Sequence, residues 1–145
     1  MQDDEFPRLE TAVGALDYVA MVVDDLEAET NRYRDLFSAR ISETENHAQY
    51  GCSSAFVDLG YSRLRLFQAH GSESPVTTLF GPHSLAGIHH VCYRVDEIDT
   101  ARSELQRKGY RPLSDDYKRS PQGKRLIFLR PTNMPGPLVR LEERE

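Results

Sequence analysis

The feature that most constrains the fold of this chain is a weak internal repeat. Leu16-Asp17-Tyr18-Val19-Ala20-Met21-Val22-Val23-Asp24-Asp25-Leu26 is echoed by Ile88-His89-His90-Val91-Cys92-Tyr93-Arg94-Val95-Asp96-Glu97-Ile98, an offset of 72 residues (88 minus 16). Val19 matches Val91, Val23 matches Val95 and Asp24 matches Asp96, with Leu/Ile exchanges at both ends. Such a repeat reads as one supersecondary module used twice. At 145 residues the chain fits a single domain, large enough to bury a core without disulfide or metal staples.

Each copy carries the same order of signals. A strand from about Ala15 to Val23 runs into Asp24, which can cap a helix, with Glu27 placed to complete a capping box. Leu26, Tyr33, Leu36 and Phe37 then form one helical stripe that should face a sheet. In the second copy Asp96 and Asp99 open a helix bearing Ile98, Ala101 and Leu105, and Gly109 stands where a left-handed stop belongs. Three strand-like runs follow each helix: near Arg40 to Glu45, Ser53 to Leu59 and Arg63 to Phe67, then Arg111 to Ser114, Lys124 to Leu129 and Leu138 to Leu141. The expectation is an α+β fold of paired βαβββ modules, spanning 15–70 and 87–143, that make a cup-shaped, mostly antiparallel sheet. Residues 71–86, with Pro75 and Pro82, read as a connector holding a short helical turn near Val76 to Phe80.

Composition narrows function by exclusion. The net charge of −5 is spread over interspersed acids and bases, and no basic run exceeds pairs such as Lys118-Arg119 and Lys124-Arg125, so nucleic acid is not an expected partner. No apolar run approaches the ~18 residues of a membrane span. Cys52 and Cys92 lack any CxxC spacing, and the acidic start Met1-Gln2-Asp3-Asp4-Glu5 is unlike a signal peptide, which points to free thiols in a reducing cytoplasm. The tail Glu142-Glu143-Arg144-Glu145 reads as solvated surface.

Several motifs carry a family resemblance. Leu16-Asp17-Tyr18-Val19-Ala20, Phe56-Val57-Asp58-Leu59-Gly60, Glu73-Ser74-Pro75, Gly87-Ile88-His89-His90 and Gln122-Gly123-Lys124 follow, in order, the pattern of the vicinal oxygen chelate superfamily, nearest to its methylmalonyl-CoA epimerase branch. That superfamily includes glyoxalase I, extradiol dioxygenases and bleomycin-type resistance proteins. The resemblance runs from about Leu16 to Glu143 and implies a divalent metal held by four side chains, two from each module. Carried over residue by residue, those four positions are Tyr18, Arg65, His90 and Arg140, and the position of the epimerase's acidic base aligns with Gln49. Arginine has no lone pair to give a metal and neutral tyrosine is a poor ligand, so no metal and no other cofactor is expected at this place.

A pocket of Tyr18, Arg65, His90 and Arg140 suits an anion instead, because the guanidinium fork matches carboxylates. One reading is a metal-independent isomerase, lyase or cyclase acting on a carboxylate or acyl thioester. In it His90 serves as a general base near neutral pH, while Tyr18 and the arginines hold the developing oxyanion. Phe67 shares a strand face with Arg65, and Gln49 and Lys124 are further candidates for touching substrate. A second reading is a protein that sequesters a small molecule, with Tyr50, Phe56, Tyr61, Phe67, Tyr93, Tyr117 and Phe128 as its aromatic lining. A third is a metal-dependent epimerase using His47, Cys52 or His70. The arginines could also be structural, paired with Asp58, Glu43 or Glu142. By resemblance, and to cover sheet edges, a homodimer is expected.

Overall fold

Alternation shapes the first strand: Tyr18, Ala20 and Val22 are buried along one face of β1 (Leu16–Val22). The computed structural model describes residues 15–71, 87–132 and 136–144. After β1 come α1 (Leu26–Phe37), β2 (Arg40–Ile41), β3 (Glu45–His47), a 3-10 turn (Ala48–Tyr50), β4 (Cys52–Asp58) and β5 (Arg63–Ala69). The second half repeats the order with β6 (Gly87–Val95), α2 (Ile98–Arg107), β7 (Tyr110–Pro112), β8 (Lys118–Arg119), β9 (Arg125–Pro131) and β10 (Leu138–Glu143). The first run expected after each helix, near Arg40 to Glu45 and Arg111 to Ser114, is a short strand, β2 or β7, and a second short strand that the sequence did not separate, β3 or β8, pairs with β4 or β9 beyond it. The connector's helical turn and the Glu73-Ser74-Pro75 motif lie outside the described residues.

The strands form one mixed sheet in the order β2-β4-β5-β1-β6-β10-β9-β7. Only β1 with β5 and β6 with β10 run parallel. The two modules meet at the antiparallel seam of β1 and β6, where the repeat-equivalent Val19 and Val91 are direct partners. A local two-fold relation therefore passes through the seam. On one face α1 buries Leu26 with Ala55, Val57 and Leu66, and α2 buries Ile98 and Ala101 with Ile127, Leu129 and Leu141. The opposite face curves into a cup, floored by Tyr18, Ala20, Val22, Cys52, Phe67 and Cys92.

Several local expectations shift. Asp25, not Asp24, caps α1, its Oδ1 accepting from the Ala28 amide at 3.1 Å. Glu97 occupies the cap of α2 without a side-chain bond; Asp96 instead pairs with Arg144, and Asp99 accepts from the Tyr117 hydroxyl. Leu36 and Phe37 remain 61% and 62% exposed, because the chain leaves the helix at Ser38 and Ala39 and Ile41 complete the packing in their place. Gly109 does adopt the left-handed conformation expected of it, φ 99°.

Candidate functional site

The two-fold relation places matching residues on opposite walls of the cup. Tyr18 and His90 are equivalents in the repeat and touch across the seam, with Tyr18 Oη 3.3 Å from His90 Nε2. On the flanking parallel strands Arg65 pairs with Ala20 and Arg140 with Cys92, themselves repeat equivalents. One strand further out, Phe56 pairs with Arg65 and Phe128 with Arg140. Three pairs, Tyr18/His90, Arg65/Arg140 and Phe56/Phe128, thus line a cavity of about 620 Å³.

The symmetry breaks two residues along each arginine strand, and the break decides the electrostatics. Next to Arg140 on the same face stands Glu142, 4% exposed, which accepts from the Arg140 guanidinium. Next to Arg65 stands Phe67 instead. Arg65, 11% exposed, lies 4.9 Å from the ring centres of both Phe56 and Phe67. Its NH1 donates to the Tyr18 hydroxyl at 3.2 Å. Among the described residues its Nε is buried and makes no hydrogen bond, and its nearest carboxylate is the half-exposed Glu45 at 3.9 Å. A carboxylate this distant and wet screens little of a buried charge. Of the two arginines, then, Arg140 has a buried carboxylate partner in Glu142, and Arg65, with none among the described residues, is a caged cation open to an anionic ligand.

An ion chain ties the walls together. Arg63 and Arg94 share the Asp17 carboxylate at 2.8 and 2.9 Å, and Arg94 reaches Glu142 at 3.0 Å. Arg63 and Arg94 oppose the burial that would raise the Asp17 carboxyl and bring it below its usual range. Across the mouth of the cup, Lys118 Nζ lies 5.5 Å from the Tyr50 ring centre, joining the second module's rim to the first.

The titratable groups on the floor are held neutral. Burial pushes the Tyr18 hydroxyl up to about 12 despite both arginines. Burial also lowers His89 to about 4, and burial together with His89, Arg140 and Arg65 lowers His90 well below the ordinary imidazole range. His90 Nδ1 lies 2.8 Å from His89 Nδ1, so both nitrogens of His90 are engaged within the protein. The expected general base titrating near neutral pH is therefore not what the structure presents at His90. Cys92 is fully buried with its thiol raised to about 11, which makes it packing and not a nucleophile.

Six of the seven candidates, Tyr18, Arg65, Phe67, His90, Arg140 and Gln49, line this cavity. Lys124 does not: its backbone closes the turn before β9 through Ser120, and Ser120, Pro121 and Gln122 face the cavity in its place. Of the aromatic candidates, Tyr50, Phe56, Phe67 and Phe128 line it, whereas Tyr61 is fully exposed and Tyr93 and Tyr117 pack under α2. Glu142, read from sequence both as part of a solvated tail and as a possible ion-pair partner for the arginines, is buried and pairs with Arg140, and Glu143 beside it pairs with Arg125. Strand alternation from Arg140 would have placed Glu142 in the cup. Arg63, Arg94 and Glu45 also line the cavity without having been singled out, as does His47, which the sequence offered only as a metal ligand.

The donor set does not fit the divalent ion of the family resemblance. Of Tyr18, Arg65, His90 and Arg140, only the imidazole offers a ready lone pair, and His90 spends both nitrogens on neighbours. His47, Cys52 and His70 form no substitute set: among the described residues they do not converge as three ligands, His70 bonds Ser53, and burial raises the Cys52 thiol. Among the described residues no group of three His, Cys, Asp or Glu converges, and no helix is long and apolar enough to cross a membrane.

Comparison with known proteins places this geometry. The sequence model of the Glyoxalase/Bleomycin resistance protein/Dioxygenase superfamily matches residues 17–128. The chain is 40% identical over 131 residues to the mitochondrial methylmalonyl-CoA epimerase of Mus musculus, covering 90% of this chain and 74% of that one. It is 34% identical over 132 residues to the ethylmalonyl-CoA/methylmalonyl-CoA epimerase of Cereibacter sphaeroides, covering 90% and 98%. The methylmalonyl-CoA epimerase structure from Mycobacterium tuberculosis shares the fold at a TM-score of 0.80, with 21% identity and 98% and 95% of the two chains covered. A variant of the Streptomyces coelicolor methylmalonyl-CoA epimerase, solved in complex with 2-nitronate-propionyl-CoA, superposes at a TM-score of 0.73 with 25% identity, covering 90% and 97%.

Proposed function

The chain belongs to the glyoxalase/bleomycin resistance protein/dioxygenase superfamily, and from that premise we propose that it is an isomerase acting beside the carbonyl of an acyl-CoA thioester, with protein cations in the role that the family resemblance assigns to a metal. The curated relatives are epimerases named for methylmalonyl-CoA and ethylmalonyl-CoA, which supports a CoA thioester bearing one free carboxylate. The observation that carries the metal-independent form is Arg65: a buried guanidinium with an unbonded Nε and no close carboxylate, set against a tyrosine hydroxyl.

An enolate oxygen beside Arg65 receives a fixed positive charge in a water-poor site, where it counts for more than in solvent. The neutral histidines order the second donor. With His89 Nδ1–H donating to His90 and His90 Nε2–H donating to Tyr18, the tyrosine oxygen accepts from His90 and Arg65, and its own proton is free for the enolate. His90 is on this reading a positioning residue. Tyr18 and Arg65 touch the reacting oxygen. Arg140, already paired with Glu142, presents its remaining donors to the substrate carboxylate. A homodimer, implied by the family resemblance, belongs to the same reading.

Proton exchange tests it. Chelator-treated protein incubated in deuterated water with methylmalonyl-CoA and ethylmalonyl-CoA should erase the α-proton signal, and added Co²⁺ or Zn²⁺ should leave the rate unchanged. Exchange abolished by chelator and restored by metal would return the site to metal-dependent chemistry. Tight binding without exchange would support sequestration, for which the lining of Tyr50, Phe56, Phe67 and Phe128 is suited.

A further inference from the structure

One step of that chemistry has no group assigned to it: the removal of the α-proton. Gln49, at the aligned position of the epimerase base, carries an amide that does not accept a proton at neutral pH. His90 has both nitrogens occupied. We infer that His47 is the proton acceptor of the cavity, its Nδ1 taking the α-proton of the bound acyl thioester, an assignment that rests on the isomerase reading above.

The placement of His47 follows from β3. That strand pairs antiparallel with β4, His47 opposite Cys52 and Glu45 opposite Ser54. Alternation turns Glu45 and His47 into the cavity, which both line, while Asn46 turns away and accepts from Ser53 Oγ at 2.6 Å. His47 Nε2 is 2.8 Å from the hydroxyl of fully buried Ser54, which anchors the ring. Nδ1 makes no hydrogen bond among the described residues; with the Nε2 proton donated to the Ser54 hydroxyl oxygen, the tautomer this assignment requires, Nδ1 carries the lone pair. The ring centre lies 6.2 Å from that of Phe67, and His90 lies 5.9 Å from the same phenyl ring. His47 and the oxyanion donor Arg65, 4.9 Å from the same ring centre, therefore both border one aromatic side chain of the cavity. Unlike His90, His47 is only half-buried, so a ligand can reach it.

The charges facing His47 are Arg65 and Arg140 from the cup wall and Glu45 from its own strand; Cys52, Ser54 and Phe67 around it are neutral. Burial first, then Arg65 and Arg140, lower its pKa against the opposing pull of Glu45, so the ring is neutral and receptive at pH 7. In the step itself the α C–H bond breaks and the proton goes to Nδ1. The electron pair becomes the enolate double bond, and the thioester oxygen takes the charge under Tyr18 and Arg65. Return of a solvent-exchanged proton from Nδ1 restores the thioester.

The experiment is α-proton exchange in deuterated water with methylmalonyl-CoA, run for the wild type, His47→Gln and His47→Ala. Gln retains a donor for Ser54, so it preserves the local hydrogen bond. Both variants are expected to slow exchange by roughly 10²-fold or more, with the dissociation constant for the thioester within threefold of wild type. Added imidazole should restore exchange in His47→Ala, and the acid limb of the wild-type pH profile should vanish in His47→Gln. Exchange within threefold of wild type in both variants would overturn the assignment while leaving the isomerase reading intact. So would loss of exchange together with loss of thioester binding, or without imidazole rescue, since that pattern marks a structural role. No exchange by the wild type would defeat the isomerase reading, and this assignment with it.

Discussion

Acid should weaken this fold in a pH window that belongs to the histidine pair. His89 holds its folded-state pKa near 4, against 6.5 for an unperturbed imidazole, because burial disfavours the charged form. A depressed histidine pKa means that between the two values the unfolded chain binds a proton that the folded one refuses. The stability from this group is therefore complete above about pH 6.5 and is lost as the pH falls toward 4. At about pH 5 the unfolded imidazole is about 1.5 units past its midpoint, which is worth about 2 kcal/mol at about 1.36 kcal/mol per unit. His90 is displaced in the same direction and adds to the loss. The carboxylates with lowered pKa, Asp17, Asp99 and Glu143, contribute chiefly at lower pH. Urea unfolding of wild type and His89→Gln, at pH 7.5 and pH 5, isolates the effect, since the carboxylate background is common to both proteins. The chain has no tryptophan, so far-ultraviolet circular dichroism is the suitable signal. The wild type should lose about 2 kcal/mol more than the variant between the two conditions. Equal losses within about 0.5 kcal/mol would refute the linkage argument.

Three further outcomes follow from the cup. Arg65→Lys should weaken binding of a malonyl-type CoA thioester by roughly 10- to 100-fold in calorimetric titration, because an ammonium cannot present a planar fork between Phe56 and Phe67; unchanged affinity would exclude Arg65 as the anion site. Tyr18→Phe should slow α-proton exchange roughly 100-fold with little change in affinity, and equal loss of both would show that Tyr18 only shapes the cavity. Glu142→Ala should destabilise the protein by about 3–5 kcal/mol, since it strips the buried partner from Arg140 and Arg94; a loss below about 1 kcal/mol in urea unfolding at pH 7.5 would show that solvent already compensates those charges.

The repeat made the fold legible because its matched residues are physical neighbours: Val19 meets Val91 and Tyr18 meets His90 across one seam. Strand alternation likewise placed Phe67 beside Arg65. What escaped the sequence lay where periodicity is too short to read. β3 has three residues, so nothing in Glu45-Asn46-His47 marks His47 as facing inward. Lys124 sits one residue before β9, where a turn and not a strand face sets direction. Leu36 and Phe37 satisfied a helical stripe that the chain abandons at Ser38. Glu142 was legible in principle, two residues from Arg140, but its position beside a charged terminus resembled solvated surface. His90 was found by motif, yet its protonation depends on burial and on His89 and the two arginines, which no linear pattern reports.

The replacement of Phe67 by Glu142 at matching points of the two modules has a stereochemical consequence. A cup with unbroken two-fold symmetry would accept an elongated ligand equally well in either of two orientations related by the axis, and chemistry at one carbon would proceed on a scrambled population. Here one end presents an uncompensated cation caged by aromatic rings and the other a cation already matched by a carboxylate. The cavity has acquired a head and a tail, and a ligand with two unlike ends has one way round to lie in it.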